Sequence, residues 1–235
     1  MRLLGIDTST QAATAAVVDS GEIICEYTLN QKKTHSVHLV PMIEEMLASA
    51  ELTLSDMDGF ACGVGPGSFT GVRIGVATVK GFAQALSKPV VCVDSLKTLA
   101  FGVGPTDKRI VSAMFARVDE VFCAVYRREG NALITELAPT VLTIDELLSF
   151  CGDKPCIFVG DAGAVHQEKI KEVLGAAVSF ADVRQNMVSA ANLTLLAEKE
   201  ATENGFLPYD EISPLYLRPS QAEREYEEKN KGEKE

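Results

Sequence analysis

Short apolar runs separated by polar turns fill the first 30 residues of the chain. Residues 2–6 are an apolar run that ends at a polar turn, and residues 12–18 are a second apolar run. After a tight turn at residues 19–21, residues 22–29 alternate between apolar and polar positions as a strand does. The pattern predicts three strands joined as a meander.

Helical periodicity follows the meander. Leu39, Ile43 and Met46 recur at helical spacing and predict a first helix. Proline suits the first turn of a helix but not its interior, so the helix starts either near Val40 or near residue 36 with a bend at Pro41. The sequence leaves both starts open. The rest of this half is predicted as a buried strand at 58–64, a glycine-rich turn, a helix from 68 to 86, a strand at 90–93 and a helix at 95–101.

The same order of elements then restarts after a linker-like segment at residues 102–108. A second meander is predicted at 110–116, 120–128 and 133–137, followed by a helix to residue 150, a strand at 157–159 and helices at 164–174 and 189–204. Thr143 and Glu146 have the spacing of a capping box, and Gly205 suits the end of the last helix. The order strand-strand-strand-helix-strand-helix is therefore predicted twice, as architecture without a residue-level repeat.

Two such halves predict an α/β protein with mixed sheets covered by helices. Tandem lobes with a polar turn after each first strand resemble the two-lobed actin-like class (ASKHA, ribonuclease H-like), with a reduced second lobe; in that class these turns face nucleotide phosphates. We predict a first lobe at residues 1–101, a linker at 102–108, a second lobe at 109–220 and a charged, disordered tail at 221–235.

Composition narrows the classes of function. The chain has 235 residues and a net charge of −11, with no Trp and 6% aromatic residues, so unaided binding to nucleic acid is disfavoured. No targeting or membrane-spanning segment is evident, which predicts a cytoplasmic protein. The six cysteines lack C-x-x-C spacing, and we expect buried, reduced thiols rather than disulfides or a zinc site.

Two polar turns are candidates for a phosphate or metal site. Asp7, Thr8 and Ser9 follow the first strand, where carboxylate and hydroxyl groups hold ligands at a sheet edge, although such residues also form ordinary self-bonded turns. Gly67 and Ser68 stand in a glycine-rich turn before a helix N-terminus, which attracts anions or simply lets the backbone turn tightly. This turn matches neither a Walker A loop nor a dinucleotide fingerprint.

The helix after this turn has two unusual faces. One is an apolar seam that begins at Phe69, and the other carries small residues, including Gly71, Gly75 and Thr78. Glycine inside a helix costs about 1 kcal/mol relative to alanine, so a closely packed neighbour must offset it. That neighbour is either the chain's own sheet or a partner subunit, and the sequence does not choose between them.

No catalytic or metal-binding constellation emerges from the residues. His35 and His38 are a single pair at i, i+3 without a further suitable ligand for zinc, so no metal site is predicted. Ser-His-Asp, Cys-His and nucleophile-elbow patterns are also missing. An enzyme acting alone is therefore disfavoured, and a stand-alone actin-fold ATPase or small-molecule kinase that uses Asp7 for magnesium stays the alternative.

Four segments resemble one family closely: residues 4–10, residues 34–36 with 41–43, residues 63–75 and residues 213–218. The resemblance covers residues 2–219 and is to the bacterial tRNA threonylcarbamoyladenosine biosynthesis protein TsaB, or YeaZ, family. It implies a non-catalytic scaffold subunit that pairs with the related catalytic protein TsaD and works with the ATPase TsaE. That assembly transfers threonylcarbamoyl from threonylcarbamoyl-adenylate to N6 of the adenosine 3′ to the tRNA anticodon.

The resemblance also implies how this chain divides the work with its partners. Self-association as a homodimer when alone is expected through the helices that otherwise face TsaD, and tRNA is bound only through the complex. No cofactor is expected for this chain beyond weak ATP or ADP with magnesium at a vestigial site, since ATP and metal belong to the partners. The family commonly has Asp-Ala-Arg where this chain has Phe115-Ala116-Arg117, which weakens a phosphate role for the second lobe. The predicted partner interface comprises His35, Leu39, Ile43, Met46, Gly71, Gly75, Thr78 and Phe82.

Overall fold

The first half of the chain folds into a helix-covered sheet of five strands. The computed structural model of the chain describes residues 1–31, 35–130 and 132–218. The sheet has the order β3-β2-β1-β4-β5, in which β1, β2 and β3 are antiparallel and β4 and β5 run parallel to β1. The predicted meander is confirmed. The elements are β1 (Arg2–Asp7), β2 (Ala12–Asp19), β3 (Glu22–Asn30), α1 (His35–Ser49), β4 (Gly59–Gly63), α2 (Phe69–Leu86), β5 (Val90–Val93) and α3 (Ser95–Gly102).

The second half repeats this architecture. Its sheet has the order β10-β9-β6-β7-β8, again a three-stranded meander followed by parallel strands. The strand β10 was not predicted, because three residues are too few to show a period. The elements are β6 (Arg109–Arg117), β7 (Glu120–Glu129), β8 (Ala132–Thr143), α4 (Ile144–Cys151), β9 (Cys156–Val159), α5 (Asp161–Val165), α6 (Gln167–Leu174), β10 (Val178–Phe180) and α7 (Ala190–Asn204).

Helix ends follow the local signals in the sequence. Helix α1 begins at His35 with Pro41 inside it, which decides between the two starts left open. The capping box of α4 is confirmed, because the Thr143 backbone N–H donates to Glu146 Oε2 at 2.8 Å and the Glu146 N–H donates to Thr143 Oγ1 at 3.3 Å. The helix predicted at residues 164–174 is instead two helices, α5 and α6, which meet at His166.

Two helices pack against the sheet of the opposite half of the chain. Leu96 and Leu99 of α3 pack in one apolar cluster with the second sheet, whereas Leu193 and Leu196 of α7 pack against the first sheet. Ile212, still further along the chain, is buried in the core of the first sheet. The predicted linker at residues 102–108 separates the two sheets in the sequence. It does not separate the two packed units, because residues 190–204 and 212 pack with the first sheet. The predicted tail at 221–235 lies outside the described residues.

All six cysteines are free thiols, and Cys62, Cys123, Cys151 and Cys156 are buried while Cys25 and Cys92 are half-buried. Burial raises the pKa of the Cys92 thiol to about 11 and that of Cys123 to about 12. Among the helices that the structure describes, none is both long and apolar enough to cross a membrane.

Candidate functional site

The carboxylate of Asp7 sits at the end of β1, fully buried, with three hydrogen-bond donors around it. The Ser9 backbone N–H and the Ser9 hydroxyl each donate to Oδ1 at 2.7 Å, and the Ser95 hydroxyl donates to Oδ2 at 2.8 Å. Burial nevertheless raises the pKa of Asp7, because desolvation of the charge outweighs the donors. Both oxygens of the carboxylate are therefore engaged by the chain itself.

The turn after β1 is hydrogen-bonded to the turn before α2 and to the first turn of that helix. Thr8 Oγ1 donates to the Gly71 carbonyl at 2.7 Å, and the Ser68 backbone N–H donates to the Ser9 carbonyl at 2.7 Å. Thr8 and Ser9 are as fully buried as Asp7, and a Cβ on Gly67 would collide with the Ser9 carbonyl. The structure thus brings together all five residues predicted as a vestigial phosphate site, and the side chains of Asp7, Thr8 and Ser9 are hydrogen-bonded within the chain.

Gly71 and Gly75 of α2 let this helix lie close to the turn after β1. A Cβ on Gly71 would collide with the Thr8 carbonyl, and one on Gly75 would collide with Thr8 Oγ1. The sequence left two interpretations open for this face of α2, the chain's own sheet or a partner subunit. The structure supports packing against the chain's own sheet. Gly71 and Gly75 are buried inside the first lobe, so neither can form the partner surface predicted for them.

Burial also removes three α1 residues from the predicted interface. Leu39, Ile43 and Met46 belong to the core cluster of the first lobe and are at most 1% exposed, because their apolar stripe is the one that packs on the sheet. His35 is half-buried, with its Nε2 at 3.0 Å from the Thr10 carbonyl. His35, Thr78 and Phe82 keep partial exposure, and for these three the interface stays a prediction.

The opposite sides of α1 and α2 form an exposed surface that the sequence analysis missed. We call it the α1–α2 face, and it comprises Val37, Val40, Pro41, Glu44, Ala48, Ala77, Gly81 and Ala85. Beside it runs a groove of about 470 Å³ whose lining includes Leu47, Leu52, Phe82 and Leu86. A Cβ on Gly81 would meet nothing within 4 Å, so its space is open. The signal was present, because residues 37, 41, 44 and 48 also recur at helical spacing.

A cleft of about 380 Å³ lies between the two lobes. The first lobe lines it with Ser9, Thr10, Ser68 and Phe69, and the second with Met114, Phe115 and Asp161, while residues 215–218 complete the wall. Phe115, which replaces the carboxylate of the family pattern, is 43% exposed, and its backbone N–H donates to Asp161 Oδ1 at 2.8 Å. The second lobe therefore presents an aromatic ring at this cleft.

Metal ligands do not gather at the cleft or elsewhere in the described ranges. No group of three or more His, Cys, Asp or Glu side chains converges within residues 1–31, 35–130 and 132–218. His35 faces a backbone carbonyl rather than a second ligand. Because the carboxylate of Asp7 already accepts three hydrogen bonds, this site does not fit a magnesium ion without rearrangement.

Two sheets of one topology, facing each other across a cleft, define a two-lobed actin-like α/β fold. The (R)-2-hydroxyglutaryl-CoA dehydratase component A of Acidaminococcus fermentans shares this fold, at a TM-score of 0.52 and 13% identity over 86% of this chain and 99% of that one. YeaZ from Pseudomonas aeruginosa is much more similar, at a TM-score of 0.80 and 28% identity over 92% of this chain and 99% of that one.

The sequence comparisons agree with the structural ones. A family model described as "TsaD: tRNA N6-adenosine threonylcarbamoyltransferase" matches residues 22–226. The tRNA threonylcarbamoyladenosine biosynthesis protein TsaB of Bacillus subtilis is 32% identical over 98% of this chain and 100% of its own length. That of Haemophilus influenzae is 29% identical over 93% of this chain and 94% of its own length. The chain belongs to the TsaB (YeaZ) family of tRNA threonylcarbamoyladenosine biosynthesis proteins.

Proposed function

We propose that this chain is a non-catalytic scaffold subunit of the complex that transfers threonylcarbamoyl from threonylcarbamoyl-adenylate to N6 of the adenosine 3′ to the tRNA anticodon. In this proposal it forms a heterodimer with TsaD, which carries the chemistry, and the assembly works with the ATPase TsaE. The chain acts in the cytoplasm and meets tRNA only through the complex. When alone, it pairs with a second copy of itself through the same surface.

The α1–α2 face is the observation that carries the proposal. Val37 is 62% exposed, and apart from Glu44 the other members of the face are small or apolar residues rather than the charged residues that usually cover a solvated helix. Two adjacent helices with short side chains allow the helices of a partner to approach closely. An exposed apolar surface rimmed by polar residues is typical of a protein–protein interface.

Charge on this surface favours a partner with basic groups. Glu44 lines the groove, and the neighbouring Glu45 is also exposed. With a net charge of −11, the chain as a whole repels other acidic surfaces, including nucleic acid. Complementary charge on the partner would speed association and select the correct orientation.

The engaged state of Asp7 supports the non-catalytic part of the proposal. A stand-alone ATPase or small-molecule kinase would need this carboxylate, or one in the second lobe, to hold magnesium. Both oxygens of Asp7 accept hydrogen bonds within the chain, and Phe115 stands where the family pattern has a carboxylate. The second-lobe carboxylate at the cleft, that of Asp161, accepts a hydrogen bond from the Phe115 backbone N–H. We therefore propose that ATP and metal are bound by the partner subunits and not by this chain.

The experiment is a substitution at Gly81, with purified TsaD from the same organism as the binding partner. Gly81→Arg places a long, charged side chain on the α1–α2 face, where the space beside Gly81 is open in the lone chain. We expect the variant to fold with the wild-type thermal stability or slightly above it, and to lose at least about 100-fold in affinity for TsaD, as hot-spot disruption does. Unchanged co-purification with TsaD would overturn the proposal.

The matched control is Val173→Arg. Val173 is 57% exposed on α6 of the second lobe, away from the α1–α2 face. This variant adds the same charge at another exposed helix position and should bind TsaD as the wild type does. Sedimentation of both variants in the absence of TsaD tests the homodimer, because only Gly81→Arg should be monomeric at concentrations where the wild type is dimeric.

A further inference from the structure

Residues 212–218 run from the core of the first lobe to the surface of the second, and we call this segment the C-terminal strap. It begins at Ile212, which is 1% exposed in the core cluster of the first sheet. The Leu215 backbone N–H then donates to the Val64 carbonyl at 2.8 Å, which ties the strap to the end of β4. The strap therefore enters the interlobe cleft with its position on the first lobe fixed.

Tyr216 anchors the strap to α2. Its ring stacks on that of Phe69, with the ring centroids 4.9 Å apart and the planes at 28°. The Arg73 guanidinium lies 3.9 Å from the centroid of the Phe69 ring, and Arg73 Nε donates to the Tyr216 hydroxyl at 2.7 Å. Ring stacking, a cation–π contact and a hydrogen bond thus reinforce one another at one exposed position.

The next two residues belong to the second lobe. Leu217 packs against the apolar cluster built by α3 and the second sheet. Arg218 Nη1 donates to Glu120 Oε2 at 3.0 Å, and Glu120 is the first residue of β7. Both side chains of this ion pair are more than two-thirds buried, so water screens it less than a surface pair.

The strap lies on the wall of the cleft. Helices α3 and α7 also join the two halves by their packing, but neither contributes a residue to this wall. Residues 215–218 do line it. Opening of the cleft therefore requires the strap to release its contacts with one of the two lobes.

We propose that the C-terminal strap is an intramolecular clamp that holds the two lobes closed at the cleft. Adjacent residues Tyr216 and Leu217 are anchored to different lobes, so opening the cleft breaks either the Phe69 stack or the Arg218–Glu120 ion pair. The clamp lines the wall of the cleft and fixes the angle between the two lobes there. This inference goes beyond the proposed function, because it involves no partner subunit.

The test is a charge reversal of the ion pair in the full-length chain. Arg218→Glu sets two carboxylates against each other at the second lobe, and we expect the radius of gyration in small-angle scattering to increase. Amide hydrogen exchange at Leu215, which stays bonded to the Val64 carbonyl of the first lobe, should keep its wild-type rate. Exchange at Ser68, whose N–H donates to the Ser9 carbonyl within the first lobe, should stay at the wild-type rate. Arg218→Gln, which only removes the charge, should give a smaller change in the same direction.

Two further variants serve as controls: one restores opposite charges at the strap, and the other reverses a remote ion pair. The double variant Glu120→Arg with Arg218→Glu restores opposite charges but loses the pair of Arg117 with Glu120, so it should return the radius of gyration part of the way to the wild-type value. Arg127→Glu reverses exposed ion pairs with Glu129 and Glu136, away from the strap, and should leave the radius of gyration unchanged. A wild-type radius of gyration in Arg218→Glu, or no recovery in the double variant, would overturn the clamp.

Discussion

Gly75 of α2 lies directly against the hydroxyl of Thr8, with no room for a side chain between them. A Cβ at this position would collide with Thr8 Oγ1, and that hydroxyl already donates to the Gly71 carbonyl one helical turn away. The contact joins the first turn of the sheet to the helix that carries half of the α1–α2 face. Close packing inside the lobe thereby positions the surface that we propose for partner binding.

The two helical glycines of α2 should respond oppositely to the same substitution. We expect Gly75→Ala to lower the free energy of unfolding by about 1–3 kcal/mol, because the new methyl group is forced against Thr8. Gly81→Ala should raise it by about 0.5–1 kcal/mol, because alanine favours a helix and the site is open. Urea unfolding of both variants measures the difference. Equal effects of the two substitutions would show that Gly75 is not in close contact.

Asp7 should make the chain less stable as the pH rises. Its folded pKa is raised above the unfolded value of about 3.8, so the folded state holds the proton more tightly and loses this advantage as the pH climbs through the folded pKa. Asp7→Asn carries no charge at any pH. We therefore expect the stability of Asp7→Asn relative to the wild type to increase from pH 4 towards neutrality in urea titrations.

The control for this pH effect is Asp56, whose pKa is shifted in the opposite direction. The Thr53 hydroxyl and backbone N–H both donate to Asp56 Oδ2 at 2.7 Å and lower the pKa of that carboxyl. Its contribution is present above pH 4 and is lost as the pH falls through the lowered pKa, so Asp56→Asn should cost stability near neutrality and nothing in acid. Parallel pH profiles for the two variants would contradict this assignment.

The lone chain should not bind magnesium nucleotide. Both oxygens of Asp7 accept hydrogen bonds and the Ser9 carbonyl accepts from the Ser68 N–H, so a metal ion would have to displace these contacts to bind at Asp7. Calorimetric titration with Mg-ATP should give only the heat of dilution. A nucleotide-binding protein of the same fold class serves as the positive control. Micromolar binding with turnover would instead favour the stand-alone ATPase.

Native thiols should react slowly with an aromatic disulfide reagent at pH 8. The thiolate is the reacting species, and burial raises the pKa of Cys92 to about 11 and of Cys123 to about 12. We expect Cys25, half-buried on the edge strand β3, to react first, and all six thiols to react at once in denaturant. Cys25→Ser should remove the early phase. Rapid reaction of several thiols in the native chain would contradict their burial.

Local sequence signals were sufficient for the order and type of most elements. The meanders, the Thr143 capping box and the free thiols all follow from the period of apolar residues or from side chains three positions apart. The four family motifs likewise identified the family, which whole-chain comparisons confirm. These features depend on neighbours within one strand or one helical turn, which is why a linear sequence contains them.

Tertiary structure alone decided which surfaces are buried and which are free. Both faces of α1 and α2 carry apolar or small residues, so periodicity could not tell the core stripe of Leu39 and Ile43 from the exposed one of Val37. The bond from Ser95 to Asp7 joins residues 88 positions apart, and α3 and α7 pack on each other's sheets. Such contacts depend on how distant segments meet in space, and no local pattern records that.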